Sequence, residues 1–205
     1  MYTSEIQILN RYAAAELAGG LFLGKFARKA EVPFLIARLT NHCYEEMYHS
    51  WQWMNFMEQN EIPIQTIHGR NEYFEYMGSR TNVIDFLAAV HVYEIRVPFH
   101  LQCHAQMSRI SDPLRDLITD ICADEKDHLG WVRNYFMERK ETDAEHIASA
   151  VKEAGEIEER TYRAYIEELK KSDEYAQELA SIVEENLSQF IPAWNIFSES
   201  SSYDS

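Results

Sequence analysis

Four stretches of this chain repeat apolar side chains at alternating three- and four-residue steps, and each stripe is broken near its midpoint by a glutamate. The first runs Leu9, Ala13, Glu16, Gly20, Leu23. The second runs Leu35, Leu39, His42, Glu46, His49, Trp53, Phe56. The third runs Ile84, Leu87, His91, Glu94, Pro98, Leu101, and the fourth Leu114, Ile118, Ile121, Glu125, His128, Val132, Tyr135. That spacing places each set on one face of an α-helix, the face a globular protein turns inward. Four carboxylates are therefore directed into an apolar interior.

The rest of the composition agrees with a helical chain. Only 7 Gly and 5 Pro occur in 205 residues, too few for the turns of an all-β fold. Hydrophobic residues make up 46%, enough for a packed core and too many for a disordered chain. The fold class expected is all-α.

The punctuation sets the helices. The first is expected over Ser4–Lys29. Pro33 opens the second, which continues to Gln59, at a position where a missing N–H costs nothing. Asn60 to Arg80 reads as one long connection. Thr81 or Asn82 caps a third helix reaching Arg109, with a kink expected at Pro98. Ser111-Asp112-Pro113 stops the chain and starts a fourth helix, Pro113–Lys140. Thr142 and Glu145 read as a capping box for a fifth helix ending near Lys171. Ser172 or Asp173 caps a sixth, which ends before Pro192, and Ser198–Ser205 reads as a disordered polar tail. The fifth and sixth have apolar faces of their own: Ile147, Val151, Ala154, Ile157, Thr161 and Tyr165, then Ala176, Leu179, Val183, Leu187 and Phe190.

Two short linkers around one long one predict two antiparallel hairpins joined by a crossover along the bundle. The organisation expected is a four-helix bundle over 1–140, two added helices packed on it over 141–197, and the tail.

With short loops, the midpoints of neighbouring helices come to the same height. Glu16, Glu46, Glu94 and Glu125 then meet in one slab, with His49 and His128. Four unpaired buried carboxylates are prohibitively costly or become protonated. Two divalent cations remove that cost, because four negative charges balance two ions at +2. The spacing repeats as well: Glu94 follows Glu16 by 78 residues, while Glu125 and His128 follow Glu46 and His49 by 79. In Glu-x-x-His both side chains share one helix face, so the glutamate can bridge and the histidine can terminate.

This constellation closely resembles the ferritin-like di-iron carboxylate proteins, which draw one glutamate from each of two helices and a Glu-x-x-His from each of the other two. The resemblance covers Ser4 to Lys140. It implies a ferritin-like fold with Glu16 and Glu94 as single ligands and with Glu46, His49, Glu125 and His128 as the paired motifs. It implies two iron ions, or an Mn/Fe or Mn/Mn pair, with dioxygen as co-substrate. In similar proteins the acid before each motif glutamate reaches the opposite histidine, which pairs Asp124 with His49 and Glu45 with His128.

Several nearby residues have blander expected roles. His42 and His91 interrupt the apolar stripes and read as hydrogen-bonded core histidines close to the ligands. Some di-iron N-oxygenases use an extra histidine at a comparable place, although on the other motif. Tyr12, Tyr48, Trp53, Tyr93 and Trp131 read as core packing. Cys43 and Cys122 read as small core residues. Gly19-Gly20 beside Glu16 leaves room either for a substrate or for a neighbouring helix.

The resemblance implies an oxidoreductase that activates dioxygen to oxidise a small organic substrate, with an external electron donor such as a ferredoxin. Rubrerythrins usually carry Cys-x-x-Cys pairs, and this chain has only Cys43, Cys103 and Cys122, unpaired in spacing. Iron-storage chains such as bacterioferritin generally end with one short fifth helix, whereas two substantial helices are expected here. Cyanobacterial aldehyde-deformylating oxygenases are similar in ligand order, total size and extra helices. The alternatives are a ferroxidase or iron-handling protein and a non-enzymatic, metal-stabilised helical module.

The net charge of −15 disfavours nucleic acid and anionic membranes as partners. It is unevenly spread: residues 141–205 hold 16 acids against 5 bases, and residues 1–140 hold 18 against 14. With no signal-peptide pattern, no membrane-spanning run and no disulfide framework, a cytoplasmic protein is expected, with a homodimer conceivable through the added helices.

Overall fold

The computed structural model describes residues 1–66, 72–190 and 196. Among the described residues there are seven helices and no strands: α1 (Thr3–Ala27), α2 (Pro33–Gln59), α3 (Glu72–Ser79), α4 (Val83–Ala105), α5 (Asp112–Met137), α6 (Lys140–Lys170) and α7 (Glu174–Phe190). None is long and apolar enough to cross a membrane. The chain is an all-helical bundle.

α1 packs along α2, and α4 along α5, as two hairpins. The hairpins meet where α2 touches α5 and where Phe26 of α1 stacks on Phe86 of α4, ring centroids 3.8 Å apart. α6 and α7 pack on α4, and α7 also reaches α1. As a result α4 is enclosed: every residue from Phe86 to Ile95 is buried. A helix buried all round must be apolar all round, and the run Phe86-Leu87-Ala88-Ala89-Val90 meets that requirement.

Local signals explain most helix ends. Asn82 caps α4, its side-chain oxygen accepting from the Ile84 N–H at 2.7 Å and the Asp85 N–H at 3.4 Å. Pro33 lies in the first turn of α2, and Pro113 in that of α5. Asp173 caps α7 through the Ala176 N–H at 3.4 Å, and it also accepts from the Ser4 N–H at 3.1 Å, tying α7 to the start of α1. α2 closes on a reversed turn in which the Ile62 N–H bonds the Met57 carbonyl at 2.8 Å and Glu61 takes the left-handed conformation, φ 55°.

Three boundaries differ from the sequence reading. The long connection contains a helix of its own, α3, which buries Tyr73, Tyr76 and Met77. α4 stops at Ala105, short of Arg109, because the Arg115 guanidinium takes the carbonyls of Ala105 and Met107 while Glu178 takes the Ser108 N–H. The expected capping box at Thr142 does not form. α5 ends at Met137, short of the expected Lys140, and only Glu138 and Arg139 separate it from α6, so that helix begins at Lys140 and the Thr142 hydroxyl turns back to the Arg139 carbonyl at 3.3 Å. The Phe190 side chain, Pro192 and the 198–205 tail lie outside the described residues.

The added helices are anchored by a polar stripe absent from the sequence reading. Arg96, His100 and His104 recur at four-residue steps along α4. Arg96 pairs with Glu158 of α6 at 2.8 Å, and His100 Nδ1 meets the Tyr162 hydroxyl of α6 at 2.8 Å. His104 lies between Tyr175 of α7 (2.6 Å from Nε2) and Tyr12 of α1 (3.0 Å from Nδ1). This stripe shifts the buried face of α6: Glu158, Tyr162 and Ile166 are inward, while Ile157, Thr161 and Tyr165 are half-buried.

Candidate metal centre

Glu16 of α1, Glu46 of α2, Glu94 of α4 and Glu125 of α5 are each 1–3% exposed, and His42, His49 and His128 are each 1% exposed. They form two groups whose ligand-capable atoms all lie within 4.8 Å of one another: Glu16, Glu46, His49 and Glu125, and His42, Glu46, Glu94 and His128. Glu46 belongs to both. Each group draws on more than one helix, and together they use all four helices of the two hairpins.

The closest approaches are between histidines and carboxylates. His49 Nδ1 is 3.1 Å from Glu125 Oε1. His128 Nδ1 is 3.0 Å from Glu125 Oε2, 3.2 Å from Glu46 Oε1 and 3.5 Å from Glu94 Oε2. On the outer side, His128 Nε2 is 3.0 Å from Glu45 Oε2, and His49 Nε2 is 3.5 Å from Asp124 Oδ2. Each acid preceding a motif glutamate thus backs the histidine of the opposite hairpin.

Without an ion, this interior divides its charge among unlike groups. Burial, reinforced by Glu46 and Glu125, pushes Glu16 well above the usual carboxylate range. Burial also raises Glu94, with His42 opposing. Burial alone would raise Glu46, but the His128 and His42 rings facing it bring it down to about 2. Glu125, hydrogen-bonded by His128 and faced by His49, is likewise held low against its burial. Burial acts to lower His49 and His128, yet Glu125 keeps His49 above the ordinary histidine range, and Glu125, Glu46 and Glu94 do the same for His128. Burial acts to lower His42, but Glu94 and Glu46 outweigh it by favouring a proton on the nitrogen that faces them, while the Trp131 indole N–H occupies the other nitrogen.

A cation is the simpler partner for these groups. Glu16 Oε2, Glu46 Oε2, His42 Nε2, His49 Nδ1 and Glu125 Oε1 are buried without a hydrogen bond. His49 Nδ1 and Glu125 Oε1 are only 3.1 Å apart, so they are close but not aligned on each other. Buried polar atoms normally find a partner. Inward atoms that crowd together without bonding suit ligands sharing a central ion, and mixed carboxylate and imidazole donors suit a divalent transition metal. Buried His/Glu clusters of this kind could hold metal.

The backbone is shaped around Glu46. A Cβ on Gly19 would lie 2.7 Å from Glu46 Oε2, and one on Gly20 would meet Met47 Cγ at 3.0 Å and the Cys43 carbonyl at 3.2 Å. Gly19 therefore clears space for the carboxylate, and Gly20 for the α1–α2 contact.

The six residues read as ligands are brought together, with Glu45 and Asp124 behind the histidines. His42 joins the second group. His91 is buried with its ring edge against Phe136, centroids 6.4 Å apart, and belongs to neither. Trp53 is fully buried beside Tyr12, and Tyr93 is buried next to Glu94. Tyr48 is not core: it is 43% exposed and stacks between Tyr44 and Trp51. Cys43 and Cys122 are only partly buried against the core. The sequence reading missed the bond from Trp131 Nε1 to His42 Nδ1, 3.3 Å; its signal was Trp131 three residues after His128, on the same face of α5. No family model matches the chain, and no curated protein matches it in sequence.

Proposed function

We propose that the chain is a ferritin-like dinuclear non-haem iron oxidase or oxygenase that uses dioxygen to oxidise a small organic molecule. The observation that carries this reading is the pair of buried Glu/His groups sharing Glu46, each drawn from both hairpins of the helical bundle. Glu16, Glu46, His49 and Glu125 would hold one ion, and Glu46, Glu94 and His128 the other. When bound, a ferrous pair supplies two electrons for the reduction of dioxygen.

The protein's own groups have separable tasks. Glu46 ties the two positions together, and Gly19 leaves room for its carboxylate. Glu45 accepts the outer N–H of His128, orienting the ring and strengthening it as a donor, and Asp124 faces the outer nitrogen of His49 at 3.5 Å. The enclosed middle of α4 keeps bulk water from the Glu94 side.

The test is anaerobic ferrous loading followed by a pulse of dioxygen. The expected result is two irons per chain and a new near-ultraviolet or visible absorption after the pulse. No optical change would remove the redox reading and leave a metal-stabilised helical module. A large hollow assembly that mineralises iron would replace it with iron storage. Glu46→Ala and Glu125→Ala should each abolish dinuclear binding; either variant holding two irons with native spectra would overturn the ligand set.

A further inference from the structure

His42 lies among the candidate ligands, with Nε2 3.3 Å from Glu46 Oε1 and 3.2 Å from Glu94 Oε1. On distance alone it is a seventh ligand. Its opposite nitrogen argues otherwise. A histidine that binds metal through one nitrogen carries its proton on the other and donates it to an acceptor. His128 meets that condition through Glu45, and the outer nitrogen of His49 faces the carboxylate of Asp124. His42 does not. Its Nδ1 accepts a hydrogen bond from the indole N–H of Trp131, and indole nitrogen can only donate. An imidazole accepting at Nδ1 and ligating through Nε2 would have no proton on either nitrogen.

Resting on the dinuclear reading above, we propose that His42 is a positioning residue and not a ligand: Trp131 fixes the tautomer with hydrogen on Nε2, and that N–H is shared between Glu46 and Glu94. A hydrogen directed between two oxygens makes a linear bond to neither, which fits the near-equal distances and the absence of an aligned bond at Nε2. The contact couples the carboxylate common to both groups with the single carboxylate of α4. Both metals would then be held by six protein residues, two of them histidines, and the excess histidine would set how Glu46 and Glu94 are presented.

The deciding experiment is nitrogen NMR of the full chain with ¹⁵N-labelled histidine and tryptophan, first metal-free and then titrated with zinc, a diamagnetic probe. In the metal-free protein His42 should show a protonated Nε2 and a bare Nδ1 coupled to the Trp131 indole N–H. On zinc addition only His49 and His128 should acquire ligand shifts, while His42 keeps its Nε2 hydrogen. A proton on Nδ1 without zinc, or a third imidazole shifting with zinc, overturns the proposal. Failure of zinc to bind at all would count against the dinuclear reading, while the metal-free spectrum would still decide the tautomer. Trp131→Phe gives a second arm: with no donor facing it, Nδ1 should gain a proton beside the one on Nε2, and an Nδ1 that stays bare would overturn the role given to Trp131. His42→Gln, which keeps a donor, should retain two zinc ions per chain, and loss of one would return His42 to the ligand set.

Discussion

Glu45 on α2 reaches across the bundle to His128 on α5, its Oε2 3.0 Å from Nε2, whereas the reciprocal acid Asp124 is 3.5 Å from His49 and 59% exposed. The two hairpins support each other's histidines unequally. Glu45→Gln should therefore weaken metal binding more than Asp124→Asn. The expected loss for Glu45→Gln is roughly 10- to 100-fold in affinity. Calorimetric titration with zinc measures it, and equal losses in the two variants would contradict the asymmetry.

Three glycines should respond to alanine in three different ways. Gly19→Ala places a methyl against Glu46 Oε2 and should reduce metal affinity by roughly tenfold through the displaced ligand, with helicity unchanged. Gly20→Ala meets the Cys43 carbonyl, which cannot step aside as a side chain can, and should cost about 1–3 kcal/mol of stability. Gly130, in the middle of α5, has nothing within 4 Å of its would-be Cβ. Gly130→Ala should stabilise by about 0.4–1 kcal/mol, since it only removes freedom from the unfolded chain. Urea unfolding and metal titration of the three proteins separate these outcomes.

Glu158 is buried, its partner Arg96 keeps 17% of its side chain exposed, and Arg96 also lies over the Tyr93 ring at 4.6 Å. Glu158→Gln leaves a guanidinium without its counter-charge and should cost about 3–5 kcal/mol. Replacing both partners, as Arg96→Met with Glu158→Leu, should recover much of that loss, because the cost comes from the stranded charge. Denaturant unfolding of the single and double variants tests this, and a double variant as unstable as the single one would contradict it.

His104 supplies a pH dependence away from the metal centre. Burial pushes it down to about 3, from an ordinary value near 6.5. Between those values the unfolded chain binds a proton that the folded chain does not, so stability falls as pH is lowered through that window. His104 alone contributes up to about 1.4 kcal/mol per pH unit once below about pH 6.5. Stability measured at pH 7, 6 and 5 should fall less steeply for His104→Gln, and parallel curves would show that His104 does not carry this proton linkage.

The four inward stripes were legible because each change from apolar to ionisable residues occurs at helical spacing, and the 78- and 79-residue repeat fixes which glutamates meet. What was illegible depended on partners distant in sequence. Glu158 follows Glu156 and precedes Glu159, and reads as one more surface acid; only Arg96, 62 residues earlier, makes it an interior residue. Tyr48 reads as an aromatic beside a ligand, yet it lies one position before His49 and so turns outward. Thr142 and Glu145 have the right residues for a cap, but the chain leaves α5 without a turn long enough to use them. His42 looked like any core histidine until Trp131 was placed behind it.

The enclosure of α4 bears on how the chain can change over generations. Glu16 and Glu94 have matching positions in the two hairpins, but α1 keeps an outward side, with Leu17 and Leu21 exposed, whereas the middle of α4 has none. Neutral substitutions can accumulate on α1 around its glutamate. Around Glu94 nearly every exchange alters a packed neighbour, so the two halves of this nearly repeated framework should diverge at different rates.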